Sequence, residues 1–551
     1  MDGRGRPRRE QVVESNAGSG CRGRCRMNTP RGKQHSDDKR QPTPERDRVI
    51  STESDWTFDL IDRYNQEIER IAKDVYHLDC YPVQLELISS EQMMDAYASV
   101  GMPIGYNHWS FGKQFVITEK NYKRGQMNLA YEIVINSNPC IAYLMEENTL
   151  TMQALVIAHA AYGHNSFFKG NYLFKIWTDA EAIIDYLIFA KNYIAECEEK
   201  HGIQEVEEIL DSCHALMNFG VDRYKRRAGE TLEDEPHVQS DRELILQHHV
   251  NELWRQLNIH EPQEKENKIK RIPPEPQENI LYFLEKNAPL LKPWQREIIR
   301  IVRKIEQYFY PQRQTQVMNE GWACFWHYTM MNHMYDEGLI NDAAMLEFMH
   351  THTNVIAQPD FDSPYYSGIN PYALGFKMMM DIRNICENPT DEDLQWFPDI
   401  AHSDWQTTLD FAMRNFKDES FIGQYLSPRL IREFRLFSVL DDDREENLSI
   451  SAIHDDAGYR AVREKLSAQY NLSNREPNLQ VYNVDHQGDR TLTLRYYKDR
   501  NRPLSDTTNE VIKHLHRLWG FRVEIESVES DGDTRITHRC PQPAGDELTI
   551  D

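Results

Sequence analysis

Apolar positions first fall into a regular pattern in DWTFDLIDRYNQEIERIAKDVY. There Trp56, Leu60, Ile61, Tyr64, Ile68, Ile71 and Ala72 recur at the spacing of one helical face. The pattern then changes period. VQLELISS (83–90) and AYEIVINSNP (130–139) alternate or are β-branched and predict strands, the second closed by Pro139. ENTLTMQALVIAHAAYGH follows, with Asn148 or Thr149 as N-cap and apolar residues on nearly every side, which predicts a buried helix. Helical spacing continues through DAEAIIDYLIFAKNYIAECEEKHG and EEILDSCHALMNFGVDRY. It dissolves in a Pro-rich, acidic insertion at about 227–277, then resumes from NILYFLEKNAPLL to about residue 435.

The C-terminal region reads element by element as strand (LSISAIHD), helix (AGYRAVREKLSAQY), strand (NLQVYNVDH), strand (RTLTLRYYK), helix (TNEVIKHLHRLWG) and strand (FRVEIESVE). The order β-α-β-β-α-β predicts a ferredoxin-like α+β domain over 445–530, a fold that by itself assigns no activity. The expected architecture is therefore mainly α with a small β element over 53–438, followed by this small domain. A basic, apolar-poor tail at 1–52 and a short one at 531–551 are expected to be disordered or flexible.

Charge and composition narrow the partners. The 551 residues carry a formal net charge of -25, which repels a phosphate backbone and argues against nucleic acid. The nine cysteines are an odd number without a C-x-x-C pair, which predicts a reduced, cytoplasmic chain and no cysteine zinc ribbon. No apolar run reaches the roughly 20 residues a membrane-spanning helix needs.

Candidate chemistry concentrates in the helical region. His159 and His164 stand five residues apart, where a regular helix would turn them to different faces; a single π-type turn, or termination at Gly163, would bring them together. In VMNEGWACFWHYTMMNH, Glu320, Cys324 and His327 fall at i, i+4, i+7 on one stripe, and a carboxylate among Trp and Phe calls for a cation. His159, His164 and Glu320 together make the His2Glu set of a catalytic zinc site. Ala160 occupies the position that supplies the carboxylate base in H-E-x-x-H. His327 is the candidate proton donor or base, and Tyr366 or Tyr372 of SPYYSGINPYALG the candidate oxyanion donor. His214 with Asp211, and His350 and His352, are further candidates, although a lone buried histidine is more often a core hydrogen-bonder. Cys324 reads as a small core residue, and no pair of Glu-x-x-His elements suggests a dinuclear oxidase.

Several long motifs carry a family resemblance: YEIVINSNPCIAYLMEENT, YGHNSFFK, SCHALMNFGVDRYKR, QTQVMNEGWACFWHY, HTHTNV, SPYYSGINPYALGF and WFPDIAHSDW. From Asp55 to about Glu529 the sequence resembles the stage V sporulation protein R (SpoVR-like) family. The resemblance implies a bacterial, cytoplasmic protein tied to spore-cortex formation, stress or cell-envelope regulation. It also implies a PrkA-type serine protein kinase and a protein with a von Willebrand-like domain as partners. The family's histidine motif maps onto His159, Tyr162, Gly163 and His164, and its Glu-Gly-Trp-Ala motif onto Glu320, Gly321, Trp322 and Ala323. Position 161, often Cys in the family, is Ala161 here. The pairing of the two motifs is also similar to some zinc peptidase-like families. The expectation is thus a metallopeptidase-like domain using zinc or another divalent metal; the competing expectation is a non-catalytic scaffold for the kinase.

Overall fold

The computed structural model describes residues 9–14, 48–99, 104–123, 132–222, 272–360, 363–441, 449–452, 455–486, 488–498, 504–528 and 533–541. Most of the expected insertion (227–277) and most of both expected tails lie outside the described residues. The fold is mainly helical with three small sheets. It divides into two compact units that interleave in sequence: one comprises 1–105, 109–187 and 311–471, the other 106–108, 188–310 and 472–551.

In the first unit, Thr57 caps the helix Phe58–Arg70, and Ile61, Tyr64 and Ile68 bury the predicted face. Both predicted strands form, as Val83–Ile88 and Glu132–Ile135. Between them lies a strand that the periodicity missed, Cys140–Met145, parallel to the first and antiparallel to the second. It is buried along nearly its whole length, so it reads as a plain apolar run rather than an alternation. Glu132–Ile135 is left at an edge of the sheet.

Thr149 caps the next helix, accepting the Met152 amide, and the helical run extends from Leu150 to Gly170 with a π segment at Ile157–His164. The core of the unit is the long helix Gln316–Asp336, which packs on the π segment and on Pro371–Glu387. Its N-terminus is held by a distant acid: Asp418 accepts the backbone N–H groups of Val317 and Met318, both at 2.9 Å. A buried anion at a helix N-terminus satisfies orphan donors and complements the macrodipole.

Glycine lets these helices meet backbone to backbone. A Cβ built on Gly163 would stand 2.8 Å from Ala323 Cα, and one on Gly375 would collide with the Val317 carbonyl and with Gly321. The second crossing sets Tyr372 and Glu320 side by side.

The second unit contains the helices Ile203–Ala215, Ile280–Asn287 and Thr508–Trp519, the last ended by Gly520 in the left-handed conformation (φ 84°). Its four-stranded sheet has the order Thr534–Cys540, Val523–Val528, Leu492–Tyr497, Asn478–Val484. This corrects the expected ferredoxin-like domain. Ser449–Ala452 pairs instead with Leu436–Asp441, which in turn pairs with Arg9–Glu14 of the expected disordered tail. The following helix, Asp456–Tyr470, also belongs to the first unit. The sheet gains a strand from the expected 531–551 tail, and two central strands run parallel across the helix 508–519. Element order was readable locally, but strand partners are long-range choices that period alone does not encode. Among the described residues, no helix is long and apolar enough to cross a membrane.

Candidate metal centre

The π segment settles how two histidines five apart meet. In a π turn the hydrogen bond spans five residues, so His164 stacks over His159 instead of rotating away. The Asn165 N–H accordingly reaches the Ala160 carbonyl, and the two imidazoles lie 4.7 Å apart, edge to face. Gly163 is what allows this wider turn to lie against the Gln316–Asp336 helix.

Two carboxylates face the pair. Glu320 arrives from the core helix, its Oε2 3.8 Å from His159 Nε2 and 3.5 Å from His164 Nε2. Glu132 arrives from the edge strand, its Oε1 3.1 and 3.9 Å from the same two nitrogens. Sequence reasoning missed Glu132 as a site residue. The signal was an acid inside the β-branched run YEIVI, a place where a strand serving only the core would not put a charge.

Each remaining ring nitrogen is engaged from behind. His164 Nδ1 donates to Asn319 Oδ1 at 2.9 Å, which turns the Nε2 lone pair of a neutral ring toward the carboxylates. His159 Nδ1 stands 2.8 Å from His327 Nδ1, and His327 Nε2 stands 2.7 Å from His352 Nδ1. All three of these histidines are buried. The Tyr372 hydroxyl lies near enough to Glu320 to bear on its carboxyl.

The environment separates the two acids. Burial, then the neighbouring Glu320, pushes Glu132 well above the usual carboxylate range. Burial also works to raise Glu320, but His164, His159 and the Tyr372 hydroxyl outweigh it and hold it below its ordinary value. Burial lowers His159 to about 4 against the pull of Glu320. The surroundings thus favour the charged form of Glu320 and the uncharged forms of Glu132 and His159.

The structure thus brings His159, His164, Glu320, His327 and Tyr372 together. His327 does not face the carboxylates, because both of its ring nitrogens are taken by histidines. Cys324 lies on the far side of His159, its Sγ and the nearest nitrogens of His159 and His327 all within 4.8 Å of one another, and burial pushes its thiol well up. Tyr366 sits half-buried in the turn before the 371–387 helix, its N–H donating to the Ser363 carbonyl. His350 is exposed and meets Asn354. His214 and Asp211 belong to the other unit, where they meet Tyr106 and His108 respectively.

The donors fit a divalent ion. Two ligands about 2.1 Å from one tetrahedral ion stand about 3.4 Å apart, and the four N···O separations are 3.1, 3.5, 3.8 and 3.9 Å. Among the described residues, Glu132 Oε2 and Glu320 Oε2 are buried with no hydrogen-bond partner. A buried acid left this way calls for a cation or a proton.

The family described as SpoVR like protein matches residues 55–475, and the SpoVR-like C-terminal domain matches 477–530. The chain belongs to the SpoVR family. It is also similar to the "Uncharacterized protein YcgB" of Escherichia coli (strain K12), 64% identical over 496 residues, which cover 90% of this chain and 97% of that protein. No solved structure matches. Within this SpoVR chain the boundary between the two family segments falls close to Asn471/Leu472, where the C-terminal stretch of the second unit begins.

Proposed function

We propose that this SpoVR protein is a metal-dependent hydrolase acting on an amide of a peptide or peptidoglycan-related substrate. His159, His164 and Glu320 would hold a divalent cation, zinc by the chemistry of the donors. The observation that carries this reading is the approach of Glu132 Oε1 and Glu320 Oε2 to the Nε2 atoms of both His159 and His164. Such an ion, when bound, polarises a carbonyl and makes an attacking water acidic.

The protein's own groups supply the rest. Glu132 takes the place in space that Ala160 leaves empty in sequence: a carboxyl raised by burial, within reach of the same point, suited to hold and pass a proton. Tyr372, beside Glu320, is placed to donate to a developing oxyanion. His327, enclosed by histidines, orients rather than transfers to substrate.

A second reading is favoured by the fourth donor. If Glu132 also ligates, the set closes into the four-coordinate shell of a structural site. The protein then works as a scaffold for a PrkA-type serine kinase and a von Willebrand-domain partner, in stress or sporulation signalling in the cytoplasm. Elemental mass spectrometry of purified protein, with folding checked by circular dichroism, separates the two. The hydrolase reading expects about one zinc per chain, lost in His159→Ala and Glu320→Ala but kept in Glu132→Gln. Loss in all three variants supports the closed structural site, and no metal in the parent even after zinc loading defeats the hydrolase and leaves a scaffold with a polar core.

A further inference from the structure

The three histidines His159, His327 and His352 form a chain of two imidazole–imidazole hydrogen bonds, 2.8 and 2.7 Å long, in a fully buried environment. A neutral imidazole has one N–H and one lone pair, so each such contact needs a donor on one side and an acceptor on the other. The protons must therefore all point the same way, and only two registers exist. In the outward register His159 Nδ1–H donates to His327 Nδ1, and His327 Nε2–H donates to His352 Nδ1. This leaves His159 Nε2 as a bare lone pair facing Glu132, Glu320 and His164. In the inward register His352 Nδ1–H donates to His327 Nε2 and His327 Nδ1–H to His159 Nδ1. His159 Nε2 then carries the proton and gives it to Glu132 Oε1, 3.1 Å away.

A cation on His159 Nε2 is compatible with the outward register alone. The rings have little freedom to escape this choice. His352 is packed by Phe348, Phe376 and Tyr328, with ring centroids at 5.8, 4.8 and 5.0 Å, and His327 lies edge-on to both Phe348 and His352. We infer that His327 and His352 are positioning residues that act through His159, fixing the tautomer that exposes its Nε2, and that cation binding and the register of the whole chain are one coupled event. The inference rests on the cation reading above. It adds that a residue two hydrogen bonds away from the ion helps set its affinity, as outer partners of ligating histidines do by about 10- to 100-fold.

Position 352 permits a clean test, because an Asn Oδ1 can stand where His Nδ1 accepts and a Leu cannot. Zinc affinity of the full chain is measured by competition with a chromophoric chelator, in parent, His352→Leu and His352→Asn, each checked by circular dichroism. The expected result is about 10- to 100-fold weaker zinc binding in His352→Leu and recovery toward the parent in His352→Asn. Equal affinity in all three overturns the relay while leaving the cation site standing. Equal weakening in both variants also overturns it, since packing alone would then be the cause. A parent that binds no zinc removes the cation site and the relay together. Should the variants fail to fold, nitrogen-15 spectra of histidine-labelled parent decide: the His327 proton is expected on Nδ1 without zinc and on Nε2 with it, and an unchanged tautomer overturns the inference.

Discussion

Two buried acidic sites in this chain are handled in opposite ways. Glu285 in the second unit is 2% exposed and is surrounded by cations: Arg300 Nε donates at 3.0 Å, Arg303 at 3.0 and 3.2 Å, and Lys286 Nζ stands 3.4 Å away. Burial alone would raise its carboxyl, but Arg303, Arg300 and Lys286 bring it below its ordinary value. Among the described residues, Glu132 and Glu320 in the first unit face imidazoles, a tyrosine hydroxyl and each other. An acid that serves the fold has been given its counter-charge by the fold. Among the described residues the pair beside the histidines has no such counter-charge, and that is the contrast on which the proposed cation site rests.

The contrast can be broken most forcefully at Glu285. Glu285→Ala strands the buried Arg303 guanidinium and is expected to destabilise the protein by about 3–5 kcal/mol, read as a lower urea midpoint. A structurally silent substitution there would mean that the cations are solvated and the comparison is false. Next in size is the glycine crossing that carries Glu320. Gly375→Ala pushes a methyl into the Val317 carbonyl and Gly321, and should cost about 2–3 kcal/mol. It should also weaken zinc retention, because the same crossing sets Tyr372 against Glu320.

The finest test is the sign of a pH dependence. Glu285 has a folded-state value below its ordinary 4.5, so its stabilisation is present above 4.5 and lost as pH falls through the lower value. Glu132 is raised above 4.5, so between 4.5 and its folded value the folded state holds more protons than the unfolded one. Its contribution therefore falls as pH rises through that window. In metal-free protein, Glu132→Gln should gain stability relative to the parent as pH rises, and Glu285→Gln should lose it. Differences of the same sign in denaturation series at several pH values would contradict the assigned charge states.

That His159, His164 and Glu320 meet was legible from the sequence, and the reasons are specific. A glycine next to the second histidine hinted at the π turn, and the stripe of Glu320 and His327 placed both on the core-facing side of one helix. Glu132 was not legible, because an acid in an edge strand becomes a site residue only through a fold that lays that strand against the histidine helix. The surroundings of His327 were not legible for a related reason. Spacing tells which residues share a face, but not that both nitrogens of one ring are already engaged by other histidines. In the C-terminal region Leu479, Val481, Leu492, Leu494, Val523 and Ile525 alternate as buried positions, so the strands themselves were readable. Which sheet Ser449–Ala452 would join was settled by Leu436–Asp441, a neighbour that no local pattern names.

The π segment has a bearing on how paired histidines on helices are found at all. Pattern scanners that look for metal-binding histidines on helices are written around a gap of three intervening residues. This chain sets four between His159 and His164 and restores their alignment by widening the turn. A catalogue built on the shorter gap passes over the arrangement without a trace, whereas H-x-x-x-G-H joined to a distant E-G-W-A retrieves it from sequence text alone.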